Sequence, residues 1–255
     1  MRKSTYSKKY FDRYGSNKTN YLAQKSNPTF KKIISEFAEL NFSGKILDIG
    51  CAGGALLLDL KNIGFYNLHG LDVSEKAVEV GKQRGVENVY VMDGHFPDFE
   101  EASFDIIIAS DSLEHLKDDM MALQNWHKLL KPNGELYVFV PAFMYLWSEH
   151  DVVNQHFRRY NAVELKNKMD KTGFKVVTNT YWNCLLYFPT TACRLFQRFI
   201  YLFIKNKAPK DHLKDFNPKI NALLIKLIKT ENFVFKYLGL PVGVSVYAKG
   251  IKTVK

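Results

Sequence analysis

The chain has 255 residues, 46% of them hydrophobic and 24% charged, an ordinary balance for a soluble globular protein with one full core and room for an elaboration. Its net charge of +10 is unevenly placed: residues 1–150 carry 17 Lys and Arg against 20 Asp and Glu, whereas residues 151–255 carry 19 against 6, so the second part is the one suited to an anionic partner or surface. Three cysteines (Cys51, Cys184 and Cys193) show no metal-ligand spacing, the N-terminus has no apolar signal-peptide core, and no apolar run reaches the roughly 18 residues of a spanning helix, which together predict a cytoplasmic, non-spanning protein.

Residues 1–26 are polar and tyrosine-rich and read as an arm. Pro28 then opens a helix to about residue 40, so that 1–41 form an arm and helix acting as a lid on a domain over 42–255. From there strands and helices alternate. A strand over 45–49 leads to a helix near 54–61. A strand over 68–73 leads to a helix over 74–84 with Ser74 as its N-cap, and the next strand covers 89–92. A strand over 104–109 precedes a helix over 118–130, and Lys131-Pro132-Asn133-Gly134 turns into a strand over 135–140. A long loop crosses 141–160, a helix over 162–172 ends at Gly173, and the last two strands cover 175–180 and 244–251. This order predicts an α/β fold, a doubly wound, mostly parallel sheet with ligands at the carboxyl ends of its strands. A helical insertion over about 189–239 precedes the last strand.

The run Lys45-Ile46-Leu47-Asp48-Ile49-Gly50-Cys51-Ala52-Gly53-Gly54 carries the most chemistry. A strand, a glycine-rich turn and a helix start form a cradle for a nucleotide-like cofactor, because glycines admit close approach and the helix start offers N–H groups. The dinucleotide fingerprint is met only loosely, as Gly50-x-Ala52-x-x-Ala55. The better fit is acid-x-Gly-x-Gly-x-Gly, beginning at Asp48 with Ala52 at the middle glycine, a change that costs little if φ stays negative there.

Together with the ends of the next three strands, this stretch resembles the motif set of class I, Rossmann-like S-adenosylmethionine-dependent methyltransferases, of which it would be the first motif. Strand two ends in Asp72-Val73, strand three in Asp93-Gly94, and strand four in Ser110-Asp111 and then Ser112-Leu113-Glu114-His115, similar to that family's later motifs. Residues 129–136 resemble its turn into strand five. The resemblance spans roughly half the chain and implies a seven-stranded sheet. It also implies a cofactor site of Asp48, Gly50, Cys51, Ala52, Gly53, Gly54, Asp72, Val73, Asp93, Gly94, Ser110 and Asp111, in which the carboxylate of Asp72 accepts from both ribose hydroxyls.

The sulfonium methyl of such a donor is already activated, so the protein mainly aligns a nucleophile and removes its proton. Candidates for the base are His115, His150 and His156. The segment Asp151 to Tyr160, with His156-x-Arg158-Arg159-Tyr160, resembles a loop of a bacterial subset of the family. Asp151, Arg158, Arg159 and Tyr160 are candidates for the acceptor, the arginines as an anion clamp. The alternative has both arginines pairing with Asp151 and Glu164 to hold the loop closed. Aspartates at 111, 118 and 119 form an incomplete ligand pattern, and no metal is expected.

In the insertion, Leu195, Phe196, Phe199, Ile200 and Phe203 fall on one helical face, and Arg194, Gln197, Arg198, Tyr201 and Lys205 on the other. Asn217-Pro218 starts a second helix with its own apolar stripe. Packed against each other and the sheet, these helices form a substrate lid. Turned outward, they lie on an anionic membrane surface. The preferred reading is a methyltransferase for a small or lipid-linked acceptor, at oxygen rather than nitrogen. The rivals are an RNA methyltransferase and a non-catalytic cofactor-binding module that docks on membranes or partners.

Overall fold

The computed structural model describes residues 42–203 and 239–253, with Lys219, Ala222, Leu223, Lys226, Leu227, Thr230 and Glu231 between them. The arm and helix expected over 1–41, and most of the second insertion helix, lie outside the described residues.

Seven strands form one sheet in the order β3-β2-β1-β4-β5-β7-β6. They are β1 (Ile46–Ile49), β2 (Leu68–Asp72), β3 (Asn88–Val91), β4 (Phe104–Ser110), β5 (Leu130–Pro141), β6 (Phe174–Trp182) and β7 (Ser245–Lys252). All neighbours are parallel except β7, which runs antiparallel to both β5 and β6. The helices are α1 (Ala55–Asn62), α2 (Glu75–Gln83), α3 (Asp119–Leu129), α4 (Glu149–Val153), α5 (Ala162–Lys171) and α6 (Tyr187–Phe203).

Central strands covered on both faces are mostly apolar, and β1 and β4 are so here, each interrupted by one acid, Asp48 and Asp105. Leu47, Ile49, Ile107 and Ala109 point into a core shared with Trp126 and Leu165, on the side of α3 and α5. Ile46, Ile106 and Ile108 point the other way, toward Leu57 and Leu60 of α1. The reversal of strand order falls between β1 and β4. The loops after the parallel strands therefore gather at one edge, where a ligand meets backbone from both halves.

Three local expectations change. Strand β5 begins at Leu130, at once after α3. Its register against β4 jumps from Phe104↔Leu130 to Ile106↔Glu135, so the Lys-Pro-Asn-Gly turn is looped out as a bulge with Asn133 at φ 63°. The stretch 141–160 is not plain loop: it holds a 3-10 turn at Met144–Leu146 and the short helix α4, started by Ser148 in a capping box with Asp151. Ala52 stands at φ 47°, so the middle position of the turn takes the left-handed conformation after all.

Candidate functional site

The loop after β1 is tied to the end of β2 by one carboxylate. Asp72 accepts from the backbone N–H of Ala52 (Oδ2, 3.0 Å) and of Ser74 (Oδ1, 2.8 Å). Gly50 and Cys51 donate their N–H groups to the carbonyl of Leu71. These bonds hold Ala52 in its left-handed turn. Gly50 is required for a different reason. At φ +75° it lies so close to the loop after β4 that a Cβ would come within 2.8 Å of Ser112 Cβ. Gly54, also left-handed, caps α1 without a side-chain partner for the first N–H groups. Gly70 lets β2 pass Leu57 and Cys51, where a Cβ would stand 2.7 Å and 2.8 Å away.

Asp48 is buried, and burial first, then the charge of Asp72, pushes its carboxyl up to about 7. Asp72 is also raised by burial, against the two backbone hydrogen bonds that favour its charged form. Cys51 is buried, and its thiol is pushed well up by burial and by Asp48 and Asp72, so it is a small turn residue rather than a nucleophile. Val73 is exposed beside Asp72. At the end of β3, Asp93 Oδ1 accepts from the backbone N–H of His95 (2.8 Å) and pairs with its Nδ1 (2.7 Å), while Trp126 Nε1 donates to the carbonyl of Gly94 (2.8 Å). Asp111, at φ 48°, donates its N–H to the carbonyl of Phe139. The cofactor candidates thus collect at successive carboxyl ends of β1, β2, β3 and β4.

The loop after β5 is organised by two buried carboxylates. Asp151 accepts from Ser148 N (2.8 Å) and Ser148 Oγ (3.1 Å), from Arg159 Nε (2.7 Å) and Nη2 (2.9 Å), and faces His156 Nδ1 at 2.9 Å. Burial works to raise its carboxyl, but hydrogen bonds from His156 and Arg159 and the guanidinium charge outweigh it and hold it well below the usual range. Asp119 of α3 receives Tyr160 OH (2.8 Å), Lys168 Nζ and Arg158 Nη1 (2.8 Å). Burial again opposes, and the bonds from Lys168, Tyr160 and Arg158 again win. The third nitrogen of Arg159 donates to the carbonyl of Ala142. Both arginines therefore serve internal ion pairs, as the loop-closing alternative expects, with Arg158 on Asp119 rather than on Glu164.

The three candidate histidines come together. The ring of His115 lies edge-on to that of His156 with centroids 4.5 Å apart, and His150 lies 6.2 Å from His156 on the exposed rim. Burial and the neighbouring His156 lower the pKa of His115 to about 4, so it is neutral at physiological pH. Glu114, fully buried, places Oε1 4.0 Å from His156 Nε2. In the sequence Glu114 stands out only as part of a motif, because nothing there sets the post-β4 turn against residue 156.

An aromatic group missed in the sequence flanks the same edge. Phe143, at φ 57°, stacks on Tyr145 (4.9 Å) and Tyr181 (4.8 Å), and Tyr145 OH meets Tyr187 OH at 2.5 Å. Beyond it, α6 presents Leu195 and Phe196 outward, 56% and 63% exposed, while Arg194 and Gln197 are half-buried and bonded to each other. No helix among the described residues is long and apolar enough to cross a membrane.

Residues 21–179 match a protein family described as a methyltransferase domain. Among curated proteins, the chain is 29% identical over 118 residues to a ubiquinone biosynthesis O-methyltransferase of Proteus mirabilis, covering 44% of this chain and 47% of that one. It is 28% identical over 183 residues to a phosphoethanolamine N-methyltransferase of Plasmodium falciparum, covering 66% and 68%. The chain spans about half the length of the first of these relatives. Among solved structures, a Haemonchus contortus phosphoethanolamine N-methyltransferase 2 in complex with S-adenosyl-L-methionine superposes with a TM-score of 0.65 at 19% identity, over 98% of this chain and 58% of that one. The cyclase SpnF superposes with a TM-score of 0.59 at 17% identity, over 95% and 86%. A cyclase on the same fold means that the fold alone does not name the reaction.

Proposed function

We propose, from the premise that this chain belongs to the methyltransferase domain family, that it is an S-adenosylmethionine-dependent methyltransferase acting at an oxygen of a small or lipid-linked acceptor. The observation that carries the cofactor is the turn after β1. Gly50, at φ +75°, lets that turn lie directly against Ser112 of the loop after β4, and Asp72, already fixed by two backbone amides, stands at the adjoining strand end. Asp72 would take the ribose hydroxyls with its remaining lone pairs, Val73 and Asp93 would border the adenine, and Gly50 to Gly54 with Ser110 and Asp111 would line the rest. When bound, the cofactor supplies an electrophilic methyl group.

The chain's own task is then to orient the acceptor and take its proton. His115, neutral and half-buried, and His156, aligned by Asp151, face this edge from the loops after β4 and β5. Arg158, Arg159 and Tyr160 act by holding that loop through Asp119 and Asp151. The curated O-methyltransferase relatives support an oxygen acceptor, and the aromatic stack around Phe143 suits an apolar or ring-bearing one. A lipid-linked acceptor also fits the outward face of α6, which would rest peripherally on an anionic surface, in keeping with the basic balance of the second part of the sequence.

Isothermal titration with S-adenosylhomocysteine tests the cofactor. Wild type should bind, and Asp72→Ala should lose roughly 10- to 100-fold, the equivalent of one or two charge-assisted hydrogen bonds. No binding by the wild type would overturn the reading.

A further inference from the structure

We propose that Glu114, His115 and His156 form a site for a divalent transition-metal ion of the zinc class on the acceptor side of the sheet edge. One carboxylate oxygen of Glu114 and one ring nitrogen of each histidine lie within 4.8 Å of one another. Two imidazoles and one carboxylate make a donor set that zinc takes in three-ligand sites with a fourth position left open. Bonds of about 2.0–2.2 Å put such donors roughly 3.3–3.5 Å apart, so closure on an ion needs about an ångström of side-chain movement.

The geometry behind the donors matters as much as their number. With Asp151 Oδ1 2.9 Å from Nδ1, His156 keeps its proton on Nδ1 and turns the lone pair of Nε2 toward Glu114, 4.0 Å away. Asp151 is itself fixed by Ser148 and by two nitrogens of Arg159. A carboxylate that orients a histidine through its distal nitrogen is the usual outer layer of a metal site. The backbone of Asn154 also hydrogen-bonds the ring of His115. Glu114 is fully buried, where a carboxylate gains most from an adjacent cation. The acids that the sequence offers as possible ligands are not these: Asp119 is engaged by Arg158, Lys168 and Tyr160.

The consequence rests on the O-methylation reading above and gives both histidines to the ion in place of proton acceptance: the open position would receive the acceptor's oxygen and lower its pKa, the proton passing to solvent, so that the acceptor reacts as an oxyanion. Metal binding itself needs no such premise. The full chain, stripped with a chelator and without methyl donor, is titrated with Co2+ alone and followed by visible absorption. One equivalent should saturate a d–d band. Glu114→Gln and His156→Asn should abolish it, and Asp151→Asn should weaken binding by about 10- to 100-fold. Circular dichroism checks that each variant is folded. Nitrogen NMR of the wild type gives a readout free of any variant: adding Zn2+ should shift Nε2 of His156. Absence of equimolar cobalt uptake, unchanged binding by His156→Asn, or an unmoved Nε2 would overturn the site. If cobalt fails while S-adenosylhomocysteine binds, only the metal inference falls. If cobalt binds while S-adenosylhomocysteine does not, only the methyltransferase reading falls.

Discussion

Removing the carboxylate of Asp151 tests the post-β5 loop at its centre. In Asp151→Ala, Arg159 keeps its charge with a side chain only 9% exposed and loses both hydrogen bonds to its partner. A buried ion stripped of its partner costs about 3–5 kcal/mol. With a urea slope of about 3 kcal/mol/M for a chain of this size, the unfolding midpoint should fall by about 1–1.7 M at pH 7. The double variant Asp151→Leu with Arg159→Met replaces the pair by apolar groups and should recover most of the loss, since the pair's own net worth is small. The effect has a pH signature. Asp151 is depressed in the folded state, so its stabilisation is complete above the unfolded carboxylate value of about 3.9 and is lost as pH falls through the folded value. The gap between wild type and Asp151→Ala should therefore narrow only in strong acid. A loss below about 1 kcal/mol at pH 7, or a double variant no more stable than the single one, would refute the reasoning.

Two further outcomes come from the same geometry. Asp48 shifts the other way, up to about 7, so the fold takes up its proton between about pH 4 and 7 and stability falls as pH rises through that window. Asp48→Asn should be more stable than wild type at pH 8, by up to about 4 kcal/mol, and nearly equal at pH 4, as read from urea midpoints at both values; equal midpoints at pH 8 would show that Asp48 is not strained by its burial. Sedimentation with anionic vesicles should carry down the wild type and fall several-fold in Leu195→Glu with Phe196→Glu, with neutral vesicles as control; equal sedimentation of both proteins would count against docking through α6.

Much of the architecture is legible in local residue order because it depends on local physics. Apolar runs bounded by turns mark β1 and β4, Ser74 does accept from Ala77 N as an N-cap, and Gly173 ends α5 at φ 98°. The strand-end acids and glycines of the edge proposed for the cofactor are legible for the same reason: each is placed by the strand that precedes it. Pairings across the sheet are not. The sequence contains Arg158, Arg159 and Tyr160 side by side, but whether they meet a substrate or a carboxylate depends on Asp119, 41 residues before Tyr160, and on the capping box that turns Asp151 inward.

The sign of φ at Ala52 was likewise beyond local preference, because alanine alone avoids that region and hydrogen bonds through Asp72 and Leu71 fix the turn around it. The helix α6 makes the same point about faces: periodicity identifies an apolar stripe but not the side on which the rest of the chain lies. What the sequence alone determined, then, is the order of elements and which residues stand at the edge proposed for the methyl donor, since both arise from runs of a few residues. Only the tertiary structure decided how the side proposed for the acceptor is built, because Glu114, His115 and His156 become neighbours only when the loops after β4 and β5 fold over one edge.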